Sequence, residues 1–188
     1  MNIPAQNPFI SAEEYLQGEP ASDIRHEYVS GQVFAMAGAG ENHNRICLNI
    51  AYHLRAAARG KPCGVFISDM KVRVKQQDAY YYPDVLVACD PQDTEPHYKE
   101  CPCLIAEVLS PATETTDRRE KLHAYRTLPS LRYYLLVAQE QRRVECYFRE
   151  DGERWLFQVL ENSGKLEIDC GGYAVVFTLD DIYEDVRL

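Results

Sequence analysis

Two apolar segments of this chain each contain a single acidic residue, and this combination restricts the fold more than any other feature of the sequence. The first segment, YYYPDVLVACD at residues 80–90, has Asp84 directly after Pro83, and the second, CLIAEVLS at residues 103–110, has Glu107 near its centre. Near-continuous apolar runs are typical of central strands that are covered on both faces. A carboxylate in such a strand is costly unless another group compensates its charge. The sequence therefore predicts two central strands whose acids share a compensating group.

The part of the chain before these runs has helix and hairpin patterns. Ser11 and Glu14 form a capping-box pattern, which predicts the start of a short helix. Two short apolar runs around residues 30–31 indicate a β-hairpin. Residues 41–60 repeat apolar side chains at three- and four-residue steps and predict a long helix that ends at a glycine. The alternating residues 65–74 predict one continuous strand.

A helix between two strands determines the topology of the centre. Residues 110–130 have a helical pattern, which we expect Thr116 or Asp117 to cap and Pro129 to end. The apolar run LRYYLLVA at residues 131–138 is predicted as the next strand, parallel to the strand before the helix. Four hairpin strands and a short terminal helix follow. These elements predict a mixed α/β fold with a β-rich C-terminal extension, in a single domain of residues 1–188.

Charge and cysteine content limit the classes of function. The net charge of −9 argues against broad, nonspecific attraction to nucleic acid. The chain shows no secretory signal and no apolar stretch near the ~18 residues that cross a membrane. We therefore expect a cytoplasmic protein whose seven cysteines are reduced thiols. Cys101 and Cys103 form a close pair, but no second pair accompanies them, so a structural zinc knuckle is not indicated.

A divalent metal is the expected compensation for the two strand acids. Mg²⁺ binds oxygen ligands, often one or two carboxylates together with water and a substrate phosphate. Neighbouring strands lie ~4.8 Å apart, so Asp84 and Glu107 could share one ion. Phosphodiester hydrolysis also benefits from a fixed cation. The strand position on the face of Glu107 is Leu109, so the candidate cation is Lys121, which shares a helix face with Asp117 and Tyr125.

The segments YYPDVLVACD and LIAEVLSPATETTDRREKLHAYRTLPSLRYYLLV together resemble the Uma2 family, also called DUF820. The resemblance extends over residues 15–134. It implies a restriction-endonuclease-like fold of the PD-(D/E)XK nuclease superfamily, with Asp84 and Glu107 as the metal-binding acids. The superfamily usually has a lysine two residues after the glutamate, where this chain has Leu109. The resemblance implies that Lys121 replaces this lysine.

Other residues have both a functional and a structural interpretation. Glu27, in the first hairpin, is predicted as an accessory acid, and the alternative is a surface charge. His43 faces inward at the start of the long helix, where it could contact a phosphate or water or have a purely structural role. Asp117 is predicted to orient Lys121 or to cap the helix, and Tyr125 is expected in the core.

These observations predict a Mg²⁺-dependent endodeoxyribonuclease in which Mn²⁺ can replace Mg²⁺. One alternative is an inactive binding or assembly protein with the same fold, and another is a metal-dependent hydrolase of small phosphoesters. DNA is the expected partner, held weakly, and a homodimer is expected because the β-rich half offers sheet edges. Basic residues that could contact phosphates lie in two groups: Arg118, Arg119, Lys121 and Arg126 on the helix, and Lys71, Arg73 and Lys75 on a strand.

Overall fold

The two apolar runs form neighbouring central strands, as predicted, and the sheet that contains them has six strands. The computed structural model describes residues 9–150 and 154–188. The order of the strands in this sheet is β11-β10-β9-β8-β6-β3, and a second sheet has the order β2-β1-β5-β4-β7. The strands of the larger sheet are β3 (Gly64–Ile67), β6 (Val85–Ala88), β8 (Pro102–Leu109), β9 (Tyr133–Ala138), β10 (Arg143–Glu150) and β11 (Arg154–Glu161).

The smaller sheet and a C-terminal hairpin complete the strands. The smaller sheet contains β1 (His26–Val29), β2 (Gln32–Ala35), β4 (Lys71–Val74), β5 (Ala79–Tyr81) and β7 (Tyr98–Lys99), and the C-terminal hairpin contains β12 (Lys165–Asp169) and β13 (Ala174–Thr178). The predicted β1–β2 hairpin and the C-terminal hairpin strands are therefore confirmed.

The helices follow the predicted order. They are α1 (Ala12–Gly18), α2 (Glu41–Ala57), α3 (Glu114–Thr116), α4 (Leu122–Tyr125) and α5 (Leu179–Ile182). Ser11 caps α1 with the predicted reciprocal hydrogen bonds to Glu14. A π-helical turn, Asp117–Lys121, joins α3 to α4, and we call these three segments together the crossover helix. It connects β8 to β9, which pair in parallel as predicted.

The larger sheet separates two hydrophobic cores, and alternate residues of β8 face each one. Leu104, Ala106 and Val108 pack in the core beneath α2, α5 and the C-terminal hairpin. Ile105 and Leu109 pack in the core shared with the smaller sheet and the crossover helix. Glu107 lies between them in the strand, on the face toward the crossover helix, where it is almost fully buried.

The single strand predicted for residues 65–74 is wrong. The chain leaves the larger sheet after β3 and enters the smaller sheet at β4. Ser68 has a left-handed φ of 53° at the break, and its amide donates to the Asp84 carbonyl. Alternation of side chains does not reveal this change, because both halves keep the same period of two.

The predicted cap of the crossover helix is also wrong. The helix begins at Glu114, and Thr116 and Asp117 lie inside it. The amides of Thr113 and Glu114 donate to the Ser110 carbonyl, so the chain turns earlier than the sequence pattern indicates. Asp117 is therefore free to point into the protein interior.

The prediction that all cysteines are reduced is contradicted. Disulfides join Cys63 to Cys89 and Cys103 to Cys170, while Cys47, Cys101 and Cys146 are free. Gly64 pairs with Ala88 across β3 and β6, so Cys63 and Cys89, the residues just outside this pair, also lie opposite each other. Sequence separations of 26 and 67 residues give no indication of these contacts.

None of the helices within residues 9–150 and 154–188 combines the length and the apolar character that crossing a bilayer requires.

Candidate active site

A cavity of about 510 Å³ opens where β6 begins and β8 ends. The first turns of α2, the β1–β2 hairpin and the crossover helix form its other walls. Its lining includes most of the residues singled out from the sequence: Glu27, His43, Asp84, Glu107, Asp117 and Lys121.

The carboxylates of Asp84 and Glu107 each accept a hydrogen bond from a backbone amide at the neighbouring strand. Val85 pairs with Ala106, so Asp84, the residue before β6, lies level with Glu107. The Asp84 amide donates to Oε2 of Glu107 at 3.2 Å, and the Val108 amide donates to Oδ2 of Asp84 at 2.7 Å. Both carboxylates are therefore held in place before any ligand binds.

Lys121 contributes an ammonium group to the same cavity. Its Nζ lies 2.9 Å from Oε1 of Glu27, 3.2 Å from Oε1 of Glu107 and 3.3 Å from Oδ1 of Asp117. The Lys121 side chain is only 6% exposed. The crossover helix therefore brings an ammonium group to Glu107, whose own strand has Leu109 and no lysine at this face.

The π-helical turn carries both Asp117 and Lys121. Such turns are rare and are often found at functional sites. Asp117 is buried, and its Oδ1 has no hydrogen-bond partner in the described part of the chain, although the Lys121 ammonium lies close to it. One turn later, the Tyr125 hydroxyl donates to Oε1 of Glu107 at 3.1 Å. Tyr125 is therefore a core residue, as predicted, and also a direct partner of the strand acid.

His43 lies on the α2 side of the cavity. Its Nε2 is 3.2 Å from Oδ2 of Asp84, and its Nδ1 is 3.5 Å from Sγ of Cys47, one turn later on α2. Burial lowers the pKa of His43, but the hydrogen bond to Asp84 and the charge of Asp84 outweigh this effect, so the net shift is upward.

Three carboxylates lie next to the Lys121 ammonium group and a fourth, that of Asp84, lies beside Glu107, and the pKa values reflect this excess of negative charge. Burial raises the pKa of Glu107 well above its ordinary value, and Asp117, Asp84 and Glu27 add to the rise against the opposing effect of Lys121. Burial also raises the pKa of Asp117. Burial alone would lower the pKa of Lys121, but the neighbouring carboxylates raise it well above its ordinary value.

The donors in this cavity suit a hard divalent cation. Carboxylate oxygens are the protein ligands that Mg²⁺ prefers, and Asp84 and Glu107 provide them on two rigid strands. Oδ1 of Asp117, which lies 3.3 Å from the Lys121 Nζ, is a further carboxylate oxygen at the cavity. With all four acids ionised, Lys121 balances one of four negative charges, so a divalent cation would remove most of the remainder.

The structure brings all five predicted site residues, Glu27, His43, Asp84, Glu107 and Lys121, to one cavity. Sequence reasoning missed Tyr82, whose amide donates to Oε1 of Glu27 at 3.1 Å, and Cys47 beside His43. The four-residue spacing of His43 and Cys47, which places both on one helix face, could have indicated that Cys47 lies beside His43. Tyr82 makes its contact through the backbone, for which no side-chain pattern exists.

The basic groups proposed for phosphate contacts are largely neutralised. Lys71 is buried beneath Tyr82, so the prediction of a basic strand edge is wrong at this residue. Arg73 and Lys75, on the same edge, both form ion pairs with Glu100. On the crossover helix, Arg118 pairs with two glutamates. At the crossover helix, the two exposed basic residues of these groups are Arg119 and Arg126.

Comparison with known proteins identifies the family. The sequence profile of Uma2, described as "Putative restriction endonuclease", matches residues 12–172. The chain belongs to the Uma2 family. Two Synechocystis relatives named "Uncharacterized protein slr1290" and "Uncharacterized protein sll1609" are 37% and 36% identical to this Uma2 chain. The alignments cover 94% and 85% of the chain, and 92% of each relative.

A crystal structure supports the fold of this Uma2 protein. It is described as "a putative nuclease belonging to DUF820" from Anabaena variabilis ATCC 29413, and it matches with a TM-score of 0.72. The match covers 93% of this chain and 97% of the other at 16% identity, so it is evidence for the fold alone. The predicted family and the mixed α/β, restriction-endonuclease-like fold are confirmed.

Proposed function

We propose that this Uma2 protein is an endodeoxyribonuclease that hydrolyses DNA phosphodiester bonds with Mg²⁺, for which Mn²⁺ can substitute. The observation that carries the proposal is the convergence of Asp84, Glu107 and Lys121 on one cavity, with each side chain fixed by named contacts. The family and the fold support nuclease chemistry. The metal and the DNA substrate are inferred from the oxygen ligands and the excess negative charge.

Asp84 and Glu107 would hold the metal. When bound, Mg²⁺ supplies a Lewis acid that polarises a phosphoryl oxygen and lowers the pKa of a bound water. The backbone amides that bind both carboxylates pre-orient them, so little reorganisation is needed on metal binding.

Lys121 would offset charge at the phosphate and orient the attacking water. Its ammonium group stays charged at neutral pH because its pKa is raised. Glu27 and Asp117 hold this ammonium group beside Glu107, and the Tyr125 hydroxyl orients Glu107 itself. These three residues are positioning residues in the proposal, and Glu27 has the role of the accessory acid.

His43 would contribute positive charge next to Asp84. The raised pKa of His43 favours its protonated form, which can donate a hydrogen bond to a phosphate oxygen at the cavity mouth. Its side chain is 13% exposed, so a ligand in the cavity can reach it.

Cleavage of supercoiled plasmid DNA tests the proposal. We expect cleavage with Mg²⁺ or Mn²⁺, no cleavage in EDTA, and no cleavage by Asp84→Asn with either metal. Asp69→Asn is the matched control, because this aspartate is 73% exposed and pairs with Arg25 on the surface. Wild-type protein that binds Mn²⁺ but leaves plasmid DNA intact would contradict the nuclease assignment.

The two alternative functions have their own supporting observations. Leu109 occupies the usual lysine position and packs in a core, which favours an inactive binding protein, and such a protein need not bind Mn²⁺. The cavity of about 510 Å³ has the size of a small-ligand pocket, which favours a phosphoesterase. Competition between duplex DNA and a nucleotide-sized phosphodiester distinguishes this hydrolase from the nuclease.

In the proposal, phosphate contacts come from two exposed arginines: Arg119 on the crossover helix and Arg126 directly after it. Each phosphate contact that is removed should reduce the salt dependence of DNA binding by about one unit of slope. We therefore expect Arg119→Ala to weaken binding and flatten its dependence on salt. Lys75→Ala is the control, because this lysine is already paired with Glu100.

A homodimer would place two such helices on one duplex. We infer that two copies associate through β11, the outer strand of the larger sheet, where Phe157 and Val159 are exposed. Sedimentation of the wild type and of Phe157→Lys tests this: the variant should be monomeric. A wild-type monomer at high concentration would contradict the inference.

A cytoplasmic location belongs to the same proposal, because the substrate is DNA. Disulfides are rare in a reducing cytoplasm. Alkylation of thiols directly in cell lysates therefore tests the location, and disulfides that are intact in the cell would argue against it.

A further inference from the structure

Three residues on the α2 side of the cavity bring a nitrogen, a sulfur and an oxygen close together. His43 and Cys47 lie one turn apart on α2, and Asp84 faces them from the start of β6. One ligand atom from each residue lies within 4.8 Å of the other two. Within residues 9–150 and 154–188, this is the one group of three or more histidine, cysteine or acidic residues that meets this criterion.

This set of donors differs in chemistry from the pair Asp84 and Glu107. Mg²⁺ prefers oxygen ligands, whereas Zn²⁺ binds thiolate, imidazole and carboxylate groups in tetrahedral sites. Three protein ligands with a fourth position left for water are typical of zinc sites that remain open to ligands. The set therefore suits a thiophilic divalent cation.

The surroundings favour a preformed site. Cys47 is 6% exposed, and the side chains of His43 and Asp84 are 13% and 17% exposed, so all three are shielded but open to the cavity. His43 already contacts both other residues, through Nδ1 at 3.5 Å from the Cys47 sulfur and through Nε2 at 3.2 Å from the Asp84 oxygen. One of these two nitrogens would bind the cation, and all three ligand atoms lie within 4.8 Å of one another. His43 and Cys47 lie on α2 and Asp84 directly precedes β6, so two regular elements hold these donors.

We propose that His43, Cys47 and Asp84 bind Zn²⁺ or a similar thiophilic cation, and that this cation inhibits the Mg²⁺-dependent reaction because both metals require Asp84. On binding, the Cys47 thiol loses its proton to water and becomes the thiolate ligand, and an imidazolium form of His43 also loses a proton to water so that a ring nitrogen can bind the cation. The binding site is independent of the proposed function, whereas the inhibition rests on it.

Titration with Co²⁺ tests the site without any measurement of activity. Co²⁺ replaces Zn²⁺ in such sites, and coordination by a thiolate produces a charge-transfer band in the near ultraviolet. We expect this band in the wild type, its displacement by Zn²⁺, and its loss in Cys47→Ala. Cys47→Ser, which keeps the side-chain volume, must give the same loss. Circular dichroism establishes that each variant is folded.

Cys146 provides the matched control. It is a free cysteine that is 1% exposed in the same core as Cys47, but it is not part of the ligand cluster. Cys146→Ala should keep the band and the Zn²⁺ affinity of the wild type. Cys47→Ala should bind Zn²⁺ at least about tenfold more weakly, since even changes around metal ligands cost about 10–100-fold in affinity.

Plasmid cleavage in Mg²⁺ tests the inhibition. Zn²⁺ should inhibit the wild type and Cys146→Ala, while Cys47→Ala should cleave normally and resist Zn²⁺. A wild type without the Co²⁺ band, or a band that survives both Cys47 substitutions, overturns the site. Equal inhibition of wild type and Cys47→Ala overturns the regulatory role. A Cys47-dependent band in a protein that never cleaves DNA supports the site and contradicts the proposed function alone.

Discussion

Two lysines that are buried to the same extent have pKa values shifted in opposite directions. Lys71 and Lys121 are each 5% exposed. Burial lowers the pKa of Lys71, against a weaker opposing effect of Glu19. The pKa of Lys121 is raised well above its ordinary value because three carboxylates outweigh the effect of burial. The number of acidic neighbours, and not the depth of burial, therefore determines the direction in which each lysine pKa is shifted.

The two networks meet at Tyr82. Its hydroxyl accepts from Lys71 and donates to Glu19 at 3.2 Å in each case, and its amide donates to Glu27, the partner of Lys121. The Lys71 network contains one buried acid, Glu19, which also contacts His26 at 3.2 Å, so acidic groups do not outnumber basic ones. The Lys121 network contains four acids for one lysine, and a buried excess of this kind is costly unless a further cation binds.

The largest expected effect is that of removing the Lys121 ammonium group. We expect Lys121→Ala to reduce plasmid cleavage by about a hundredfold or more, because a cation that acts on the transition state contributes a few kcal/mol. The substitution should also lower the free energy of unfolding in EDTA by about 3–5 kcal/mol, since it leaves buried carboxylates without a partner. Cleavage is therefore measured well below the unfolding temperature of the variant.

Lys71→Met is the control that sharpens this comparison. It removes the other buried ammonium group and should leave cleavage unchanged. Leu109→Lys in the Lys121→Ala background should restore part of the cleavage, because position 109 shares the face of Glu107 on β8. Equal losses in Lys121→Ala and Lys71→Met would show that the two networks have the same, structural role.

Reduction of the disulfides should affect stability and leave both lysine networks intact. Loops of 26 and 67 residues give an expected loss of about 3–4 kcal/mol for each disulfide in the chain-entropy model. Unfolding in denaturant with and without a reductant measures this loss. Alkylation of the unreduced, denatured protein should label three of the seven cysteines, and seven labels would contradict the pairing.

Metal binding should distinguish the unbalanced network from the balanced one. At a Mg²⁺ concentration of one hundred times Kd, the metal should stabilise the wild type by about 2.7 kcal/mol. Glu107→Gln should lose this stabilisation, and Glu19→Gln, a change at the buried acid of the Lys71 network, should keep it. Thermal unfolding with and without Mg²⁺ measures the difference. Loss of the effect in Glu19→Gln alone would contradict our placement of the metal.

The smallest expected effect is on the pH dependence of stability in EDTA. Because the pKa of Glu107 is raised above its ordinary value of 4.5, the folded state holds this proton more tightly than the unfolded state. The resulting stability is fully present below 4.5 and is lost as pH rises through the folded-state pKa. Glu107→Gln should therefore show a smaller fall in melting temperature from acid to neutral pH. An unchanged fall would assign the titration to another group, such as Asp117.

Local patterns were sufficient to predict most elements of the fold. The capping box at Ser11, the β1–β2 hairpin, the α2 helix and the parallel pairing of β8 with β9 were all predicted and are confirmed. Each depends on residues close in sequence or on a single connecting helix. The predicted strand at residues 65–74 failed because the change of sheet at Ser68 depends on the Asp84 carbonyl, a distant part of the chain.

The sequence by itself determined which residue types would need each other: two acids in apolar strands, no lysine at position 109, and a lysine on the following helix. Tertiary structure alone decided the balance of charge around that lysine. Asp117 reaches the cavity through a π-helical turn, and Glu27 reaches it from the other sheet. The strand register also decided one of the two disulfides, because Cys63 and Cys89 flank a cross-strand pair. Contacts of this kind join distant parts of the chain, and the periodicity of a single segment carries no information about them.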